Sequence, residues 1–436
     1  EIRLSLVGSE MCIRDRRKLG ELTEIKDSAR IPNRLWREAG VPYIRASDIS
    51  QEDLRGALFI DEEDYAAYKA ATGAPEKGDV LFNGGGEIGK AIINGNSSPI
   101  YVQGGAVLYA RIAHSSLLDA RYLVAAFVTQ NVVNAIGVLS AGGTMKHFTL
   151  QPAKNLPIEV PSIAEQRRIG AFFDRLDSLI TLHQRKYDKL CVLKKSMLDK
   201  MFPKGGSLYP EIRFAGFTDP WEQRKLGEEL GFLRNNTLSR AELSDSEGTV
   251  FDIHYGDVLI KYGSVLDAEK ADVPKIANDA VANRQTCDCL QDGDVIIADT
   301  AEDSAVGKCT ELCNSAGKKV FSGLHTMPLR PMRKYASGYL GHYLNSPAFH
   351  DQLLPLMQGI KVISVSRSAM EDMTMSVPSV AEQASIGAFF DRLDSLITLH
   401  QRKYDGCANP LFSERRISCR KPSHQNRCSA TTTPSG

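Results

Sequence analysis

Val160–Asp188 reads VPSIAEQRRIGAFFDRLDSLITLHQRKYD, and Val377–Asp405 reads VPSVAEQASIGAFFDRLDSLITLHQRKYD, an almost identical copy 217 residues further along the chain. The copies differ at three of 29 positions, which are Ile163/Val380, Arg167/Ala384 and Arg168/Ser385. A shorter shared run, RKLGE, opens each half at residues 17–21 and 224–228. The repeat therefore divides the chain into two variable regions, each followed by a constant segment.

The constant segment is predicted to be a long helix. Ser162 with Glu165, and Ser379 with Glu382, have the spacing of a capping box at a helix start. Apolar and aromatic residues then recur in a three-four alternation over more than four heptads in the first copy, which indicates a coiled coil. The seam positions are Ile169, Phe173, Leu176, Ile180 and Tyr187 in the first copy and Ile386, Phe390, Leu393, Ile397 and Tyr404 in the second.

The length of the helix and its repetition suggest how the two copies pair. About 40 residues precede the helix-breaking Pro203, which corresponds to about 60 Å at 1.5 Å per residue. His183 and His400 take a further seam position, where a polar residue more often sets the register than binds a ligand. A plain dimerisation coiled coil is the alternative, but two copies in one chain most simply pack antiparallel to each other.

The variable regions have the pattern of mixed helix and strand. Short strands are expected at residues 41–46, 79–82, 99–108, 257–261 and 294–297, and helices at 120–139 and 335–354. The two variable regions share a short sequence similarity: KGDV at 77–80 followed by Gly89-Lys90 in the first, and DGDV at 292–295 followed by Gly307-Lys308 in the second. Each region is therefore expected to be a compact α+β domain of about 150 residues.

The charge balance excludes a polybasic binder but not nucleic-acid binding. The 436 residues include 53 Lys and Arg against 53 Asp and Glu. Residues 17–160 carry 15 basic and 16 acidic side chains, residues 161–202 carry 9 and 5, and residues 221–377 carry 16 and 22. The net charge is therefore −1 in the first region, +4 in the helix and −6 in the second region. If the variable domains bind DNA, they must use localised side chains on loops.

The two ends and the cysteines give weaker expectations. Residues 1–16 contain a run typical of a translated sequencing adapter and are set aside, and residues 406–436 diverge from the repeat in a way that suggests a frameshift. No stretch of 18 apolar residues predicts a membrane span. Nine cysteines, an odd number at irregular spacing, favour a reducing, cytoplasmic location.

No catalytic residue and no metal site are predicted. Gly84–Lys90 matches a phosphate-binding loop, but Ala91 replaces the metal-binding Ser or Thr and a strand is expected next. This favours a simple glycine-rich turn between strands, which could lie close to DNA phosphate. Cys287, Cys289, Cys309 and Cys313 could supply four sulfurs, but their spacing fits no common zinc module. The chain has no Pro-Pro dipeptide, so the base-holding loop of amino-group DNA methyltransferases is absent.

Residues 17–405 resemble the specificity subunit of type I restriction-modification systems. The resemblance rests on Lys77–Leu81 (KGDVL), Phe214–Glu228 (FAGFTDPWEQRKLGE), Pro161–Gln166 (PSIAEQ) and Pro378–Gln383 (PSVAEQ). It implies an α+β fold in which two mixed α/β target recognition domains, 17–160 and 221–377, are joined by two long antiparallel coiled-coil helices with an internal pseudo-twofold repeat. The helices are residues 161–203 and 378–405, with a linker at 204–220.

The resemblance also implies a function without catalysis by this chain. Each domain would read one half of a bipartite site in double-stranded DNA, and the helices would set the spacer and dock methylation subunits, two being expected. The methylation subunits would supply the S-adenosylmethionine chemistry. The restriction and translocase subunits would join that core, and they would use the remaining cofactors, ATP and Mg²⁺. The alternative is an orphan or truncated specificity-like scaffold that binds partner subunits without productive DNA recognition.

The DNA-contacting residues are predicted from loop position. In the first domain they are the glycine-rich turn, with Asn83, Gly84, Gly85 and Lys90, and the Lys146-His147 segment. Lys261, Lys308 and Lys361 are their expected counterparts in the second domain. The alternative for each lysine is a solvated loop residue without a binding role.

Overall fold

The computed structural model describes residues 15–113, 115–142, 146–359 and 362–407. Within these residues the chain divides into two compact units, one of residues 15–183 with 403–407 and one of residues 184–402. Lys361 and most of the two ends set aside from the sequence lie outside the described residues. Asp15 and Arg16 are described, and they form the start of the first strand.

The first globular region consists of short strands and helices. Its strands are β1 (Asp15–Lys18), β2 (Ile25–Asp27), β3 (Val41–Ile44), β4 (Phe59–Ile60), β5 (Val80–Asn83), β6 (Ala91–Ile93), β7 (Tyr101–Val102), β8 (Val107–Ala110) and β9 (Pro157–Val160). Its helices are α1 (Leu19–Leu22), α2 (Ala46–Ser50), α3 (Glu62–Thr72), α4 (Ala120–Phe127), α5 (Gln130–Leu139) and α6 (Leu150–Lys154).

Two sheets and a ribbon organise this region. One sheet has the order β2-β8-β5-β6 with antiparallel pairs, and the other has the order β4-β3-β7 with β3 parallel to β7. The ribbon pairs β1 with β9, so both ends of the region meet just before the long helix. Phe82 packs against Phe127 and Phe148 in the main core, with ring centroids 5.0 and 6.4 Å apart.

The second globular region is larger but is built in the same way. Its strands are β10 (Glu222–Lys225), β11 (Leu230–Phe232), β12 (Leu243–Ser244), β13 (Phe251–Ile253), β14 (Val265–Asp267), β15 (Lys275–Ile276), β16 (Val295–Ala298), β17 (Thr300–Ala301), β18 (Cys309–Cys313), β19 (Val320–Ser322), β20 (Thr326–Pro331), β21 (Ile363–Ser364) and β22 (Thr374–Val377). Its helices, numbered after the long helix α7 (Ile163–Lys200), are α8 (Leu226–Glu229), α9 (Tyr255–Ile260), α10 (Asp279–Ala282), α11 (Tyr339–Leu344), α12 (Pro347–His350) and α13 (Arg367–Glu371).

The two regions share a topology although their sequences diverge. The sheet β11-β20-β16-β18 repeats the order of β2-β8-β5-β6, with β14 added at its edge. The parallel pair β13-β19, flanked by antiparallel β15, repeats β3-β7 flanked by β4. The ribbon β10-β22 repeats β1-β9. Two mixed domains with an internal repeat are therefore confirmed.

The long helices carry the predicted seam. Helix α7 has 38 residues and α14 (Val380–Cys407) has 28. Within the second unit, Phe202 stacks on Phe390 with ring centroids 5.9 Å apart, and the Lys194 ammonium lies 2.5 Å from the Asp394 carboxylate. From Lys194 to Phe202 the residue numbers rise, whereas those of their partners on α14 fall from Asp394 to Phe390. The two segments therefore run antiparallel.

Some predicted elements are wrong in detail. Residues 257–260 belong to helix α9, with Lys261 as its C-cap, and not to a strand. Val258 is fully buried and Ile260 is 88% exposed, whereas strand alternation would place them on one face. The expected helix at 120–139 is two helices bent by 72°. The expected helix at 335–354 is reduced to the short α11 and α12.

Among the described residues no single helix has the length and composition to cross a membrane, and the bent pair α4-α5 passes that test only jointly.

Candidate nucleic-acid interface

Three loops meet at the same place in both domains, just after the central strand. In the first domain Gly84 N donates to Ala106 O (2.9 Å), and Gly84 O accepts from Phe148 N (2.8 Å). In the second, Asp299 N donates to His325 O (3.2 Å), and Asp299 O accepts from Val365 N (3.0 Å). We name these assemblies the first loop cluster (residues 84–86, 103–106, 141–142 and 146–148) and the second loop cluster (299–301, 323–325, 358–359 and 362–365).

The hairpins of the two clusters begin in the same conformation. Ala141 bridges to His147, and Gln358 bridges to Ser364, at an offset of 217 residues in both strands. Gly142 and Gly359 have φ of +131° and +116° at equivalent positions. A Cβ atom on Gly359 would lie 1.9 Å from Val362 O, so this turn requires glycine. Lys361 was expected to be the counterpart of the Lys146-His147 segment. The backbone on both sides of the two hairpin tips agrees with that equivalence.

A buried ion pair anchors the start of each central strand, at the end opposite its loop cluster. Asp79 and Asp294 are fully buried, and each accepts a hydrogen bond from a backbone N–H three residues earlier, at 2.8 Å in both cases. Arg330 places Nη2 2.7 Å from Asp294 Oδ2, and Arg111 places Nε 3.4 Å from Asp79 Oδ2. Burial raises the pKa of Asp79. The similarity between KGDV and DGDV thus reflects a shared structural role of the buried aspartate. No sequence pattern marked Arg111 and Arg330 as the partners of these aspartates.

Several side chains predicted to contact DNA have partners inside the first domain. Asn83 is fully buried, and its amide Nδ2 donates to Ala46 O (3.0 Å) and Ser50 Oγ (3.2 Å). The Lys90 side chain is 11% exposed, with its Nζ 2.5 Å from Glu52 Oε1. These contacts argue against base reading by the side chains of Asn83 and Lys90.

The glycine-rich turn and the Lys146-His147 segment are brought together by the fold. Gly84 and Gly85 are buried, and a Cβ atom on Gly84 would lie 2.6 Å from Phe148 O. A Cβ atom on Gly85 would lie 3.6 Å from the Nδ1 of His147. Lys146 and His147 are exposed. The glycines therefore shape the first loop cluster, and Lys146 and His147 remain its candidates for DNA contact.

The predicted lysines of the second domain differ in exposure. Lys308 is half-buried and donates to Leu259 O (2.8 Å), and burial lowers its pKa. Its carbonyl accepts from Ala298 N, as the carbonyl of Lys90 accepts from Asn83 N, which makes the two lysines equivalent. Lys261 is exposed and donates to Asp272 O.

Sequence reasoning missed the polar side chains of the second loop cluster. Asp299 and Thr300 follow strand β16, and His325 stands in the turn before β20. His325 is 48% exposed and has a φ of +55°, which is unusual for a residue with a side chain. No sequence pattern marks these residues, because three separate loops supply the cluster.

The described residues contain no group of three or more His, Cys, Asp or Glu placed to hold a metal ion. Cys309 is fully buried, and its thiol donates to Gly341 O at 3.8 Å. Burial raises the pKa of Cys287 and of Cys313 to about 11.

The long helices also present a second apolar stripe, separate from the seam. Leu179 (41% exposed) and Leu182 (44%) in the first copy match Leu396 (37%) and Leu399 (44%) in the second. Phe172 extends the stripe and is 56% exposed. Because exposed leucines recur at the same positions of both copies, the stripe is a candidate surface for partner proteins.

Comparison with known proteins gives consistent matches. Residues 15–191 match the family model of the type I restriction modification DNA specificity domain. The chain is 20% identical over 406 residues to a Methanocaldococcus jannaschii protein assigned as the MjaX specificity subunit of a type I restriction enzyme, covering 89% of this chain and 88% of that protein. It is 24% identical over 164 residues to a Haemophilus influenzae protein assigned as such a specificity subunit, covering 37% and 40%.

Two solved structures align over most of the chain. The HsdS subunit from Thermoanaerobacter tengcongensis is 16% identical, with 93% of this chain and 96% of that chain covered and a TM-score of 0.46. The S subunit of the type I restriction-modification system from M. genitalium is 14% identical, with 90% and 92% covered and a TM-score of 0.48.

Proposed function

We propose that this chain is a specificity subunit of a type I restriction-modification system, and that each of its two globular domains reads one half of a bipartite site in double-stranded DNA. One observation carries the proposal. The same loop cluster occurs in both domains on the same frame, yet it is lined with different side chains.

The difference between the clusters has the character expected of base reading. Gly84 and Ala106 of the first cluster stand where Asp299 and His325 stand in the second, as their backbone hydrogen bonds show. Contacts to phosphates position a protein on any sequence, whereas contacts to base edges require particular donors and acceptors. A pair of domains that read two different half-sites needs a constant frame and variable loops, which is the pattern found here.

The long helices are proposed to set the number of unread base pairs between the half-sites. Helix α7 is continuous over 38 residues, which corresponds to about 57 Å. At about 3.4 Å per base pair this length exceeds one turn of B-DNA. The continuity supports the proposal because a broken or flexible connection would not fix a spacing.

The exposed stripe of the helices supports docking of methylation subunits. Two copies of the stripe suggest two such subunits, one for each helix copy. We assign the methylation chemistry with S-adenosylmethionine to these partners, and DNA cleavage with ATP and Mg²⁺ to restriction and translocase subunits. The chain itself is proposed to act without catalysis, in the cytoplasm, a reducing compartment that suits cysteines such as Cys287, Cys289, Cys309 and Cys313, none of which forms a disulfide.

The function is tested by co-expressing the full chain with a cognate methylation subunit in a host that lacks adenine methylation. Single-molecule sequencing of the host genome then maps the methylated adenines. We expect one bipartite motif with a fixed spacer. A stable complex that methylates no bipartite motif would favour the orphan scaffold instead.

A further inference from the structure

The second loop cluster holds a compact group of polar side chains. Thr300 Oγ1 donates to Asp299 Oδ1 at 2.7 Å, and His325 Nδ1 lies 3.5 Å from that carboxylate oxygen. His325 Nδ1 is also 3.5 Å from Thr300 Oγ1. The carboxylate, the hydroxyl and the imidazole therefore form one hydrogen-bonding group, although they come from two different loops.

Aromatic packing fixes the position of the imidazole. The ring of His325 meets the ring of Tyr255 edge-on, with centroids 5.4 Å apart, and Tyr255 lies 4.6 Å from the ring of His254. His325 keeps this place with φ at +55°, and its counterpart in the first domain, Ala106, has no positive φ. Conformations of this kind persist where the surrounding structure enforces them, and they concentrate at functional sites.

The carboxylate of Asp299 keeps an oxygen available. Its side chain is 25% exposed, and Oδ1 takes the contacts to Thr300 and His325. Oδ2 has no hydrogen-bond donor within the residues that the structure describes. A carboxylate on a DNA-facing surface is repelled by phosphates, so it is useful there only against a donor on a base edge.

We propose that Asp299, Thr300 and His325 form the base-reading group of the second domain, with Asp299 accepting from an exocyclic amino group of cytosine or adenine in the major groove. The inference rests on the proposed function and specifies it further. Thr300 and His325 act as positioning residues for the carboxylate, and Tyr255 supports the imidazole.

The test compares Asp299→Asn with wild type in the methylation-mapping experiment with the full complex. The variant keeps the size of the side chain but replaces one acceptor by a donor. We expect discrimination at one base pair to fall about tenfold or more, with the change confined to one half-site. Asp267→Asn is the matched control, because Asp267 is a 22% exposed carboxylate of the same domain that pairs with Lys270.

The outcomes separate the inference from the function on which it rests. If wild type gives no bipartite motif, the proposed function fails. If wild type gives one and Asp299→Asn leaves both half-sites unchanged, or alters both, the inference is overturned while the function stands. If Asp299→Asn abolishes all methylation, Thr300→Val decides: a relaxed single half-site supports the inference, and an unchanged motif overturns it.

Discussion

Arg213 and Glu382 form a two-point ion pair between the linker and the first turn of the second long helix. Arg213 Nε lies 2.7 Å from Glu382 Oε1, and Arg213 Nη2 lies 2.8 Å from Glu382 Oε2. The Glu382 side chain is only 2% exposed. Ser379 Oγ accepts from Glu382 N at 3.3 Å, as a capping box predicts, but the carboxylate is bound by Arg213 and not by the backbone of Ser379. The capping box predicted there is therefore only half formed.

Arg213→Met is expected to lower the free energy of unfolding of the second unit by about 3 kcal/mol, because it leaves a buried carboxylate without its partner. The chain has two tryptophans, and Trp221 lies buried in this unit, so a Trp36→Phe background makes fluorescence in urea report on it alone. Glu371→Gln, at an exposed pair with Arg367, is the control and should cost less than about 1 kcal/mol. A similar cost for both variants would contradict a special role of the Arg213–Glu382 pair.

Glu311 is expected to make the second unit less stable as the pH rises. Burial raises the pKa of Glu311 to about 7, although its carboxylate accepts from Gly338 N (2.7 Å) and Gly341 N (2.9 Å). The pKa of Glu311 in the folded state lies above its ordinary value of 4.5. The contribution of this carboxyl to the free energy of unfolding is therefore complete below pH 4.5. It is lost as the pH rises through 7.

The measurement compares wild type with Glu311→Gln between pH 5 and pH 8. Relative to the variant, wild type should lose up to about 3 kcal/mol of unfolding free energy over this range. The variant cannot ionise at this position, so every other titrating group cancels in the difference. A difference that stays constant with pH, or that grows in favour of wild type at high pH, would show that the carboxyl has no raised pKa.

The seam and the exposed stripe of the helices should respond differently to substitution. Phe390 is fully buried against Phe202, so Phe390→Ala is expected to cost about 3–5 kcal/mol of unfolding free energy. Leu182→Asp and Leu399→Asp, each at 44% exposure, should change stability by less than about 1 kcal/mol. Each should remove one of two bound methylation subunits, and the double variant both, as measured by mass photometry. Retention of both subunits by the double variant would exclude the stripe as their docking surface.

Two residues predicted to contact DNA in the first domain should separate by phenotype. Asn83→Ala is expected to lower stability by about 1–3 kcal/mol, because two buried hydrogen bonds are lost, while the methylation motif stays the same. Lys146→Ala, at an exposed position, should leave stability unchanged and weaken DNA binding by the complex in a gel shift. An altered motif in Asn83→Ala would show that its amide reaches the bases after all.

The fold class could be predicted from the chain because its signals are local or repeated. The heptads of Ile169 to Tyr187 and Ile386 to Tyr404 place apolar residues on one face by helix geometry alone. In the first domain the short run at residues 79–82 and the glycines that follow it predicted a strand and a turn, which the structure has at Val80–Asn83 and Gly84–Gly86. The same short-range reasoning failed at residues 257–261, where the His254 side chain caps a helix by accepting from Gly256 N.

The sequence by itself determined the repeat, the long helices and the family resemblance, because each depends on residue order within a segment or on comparison of two segments. Only the tertiary structure decided which loop side chains can meet a ligand. Asn83 and Lys90 turned out to have partners within the domain, while Asp299 and His325 came together from separate loops. The direction of a loop side chain is set by contacts with residues far away in the sequence, and no local pattern encodes those contacts.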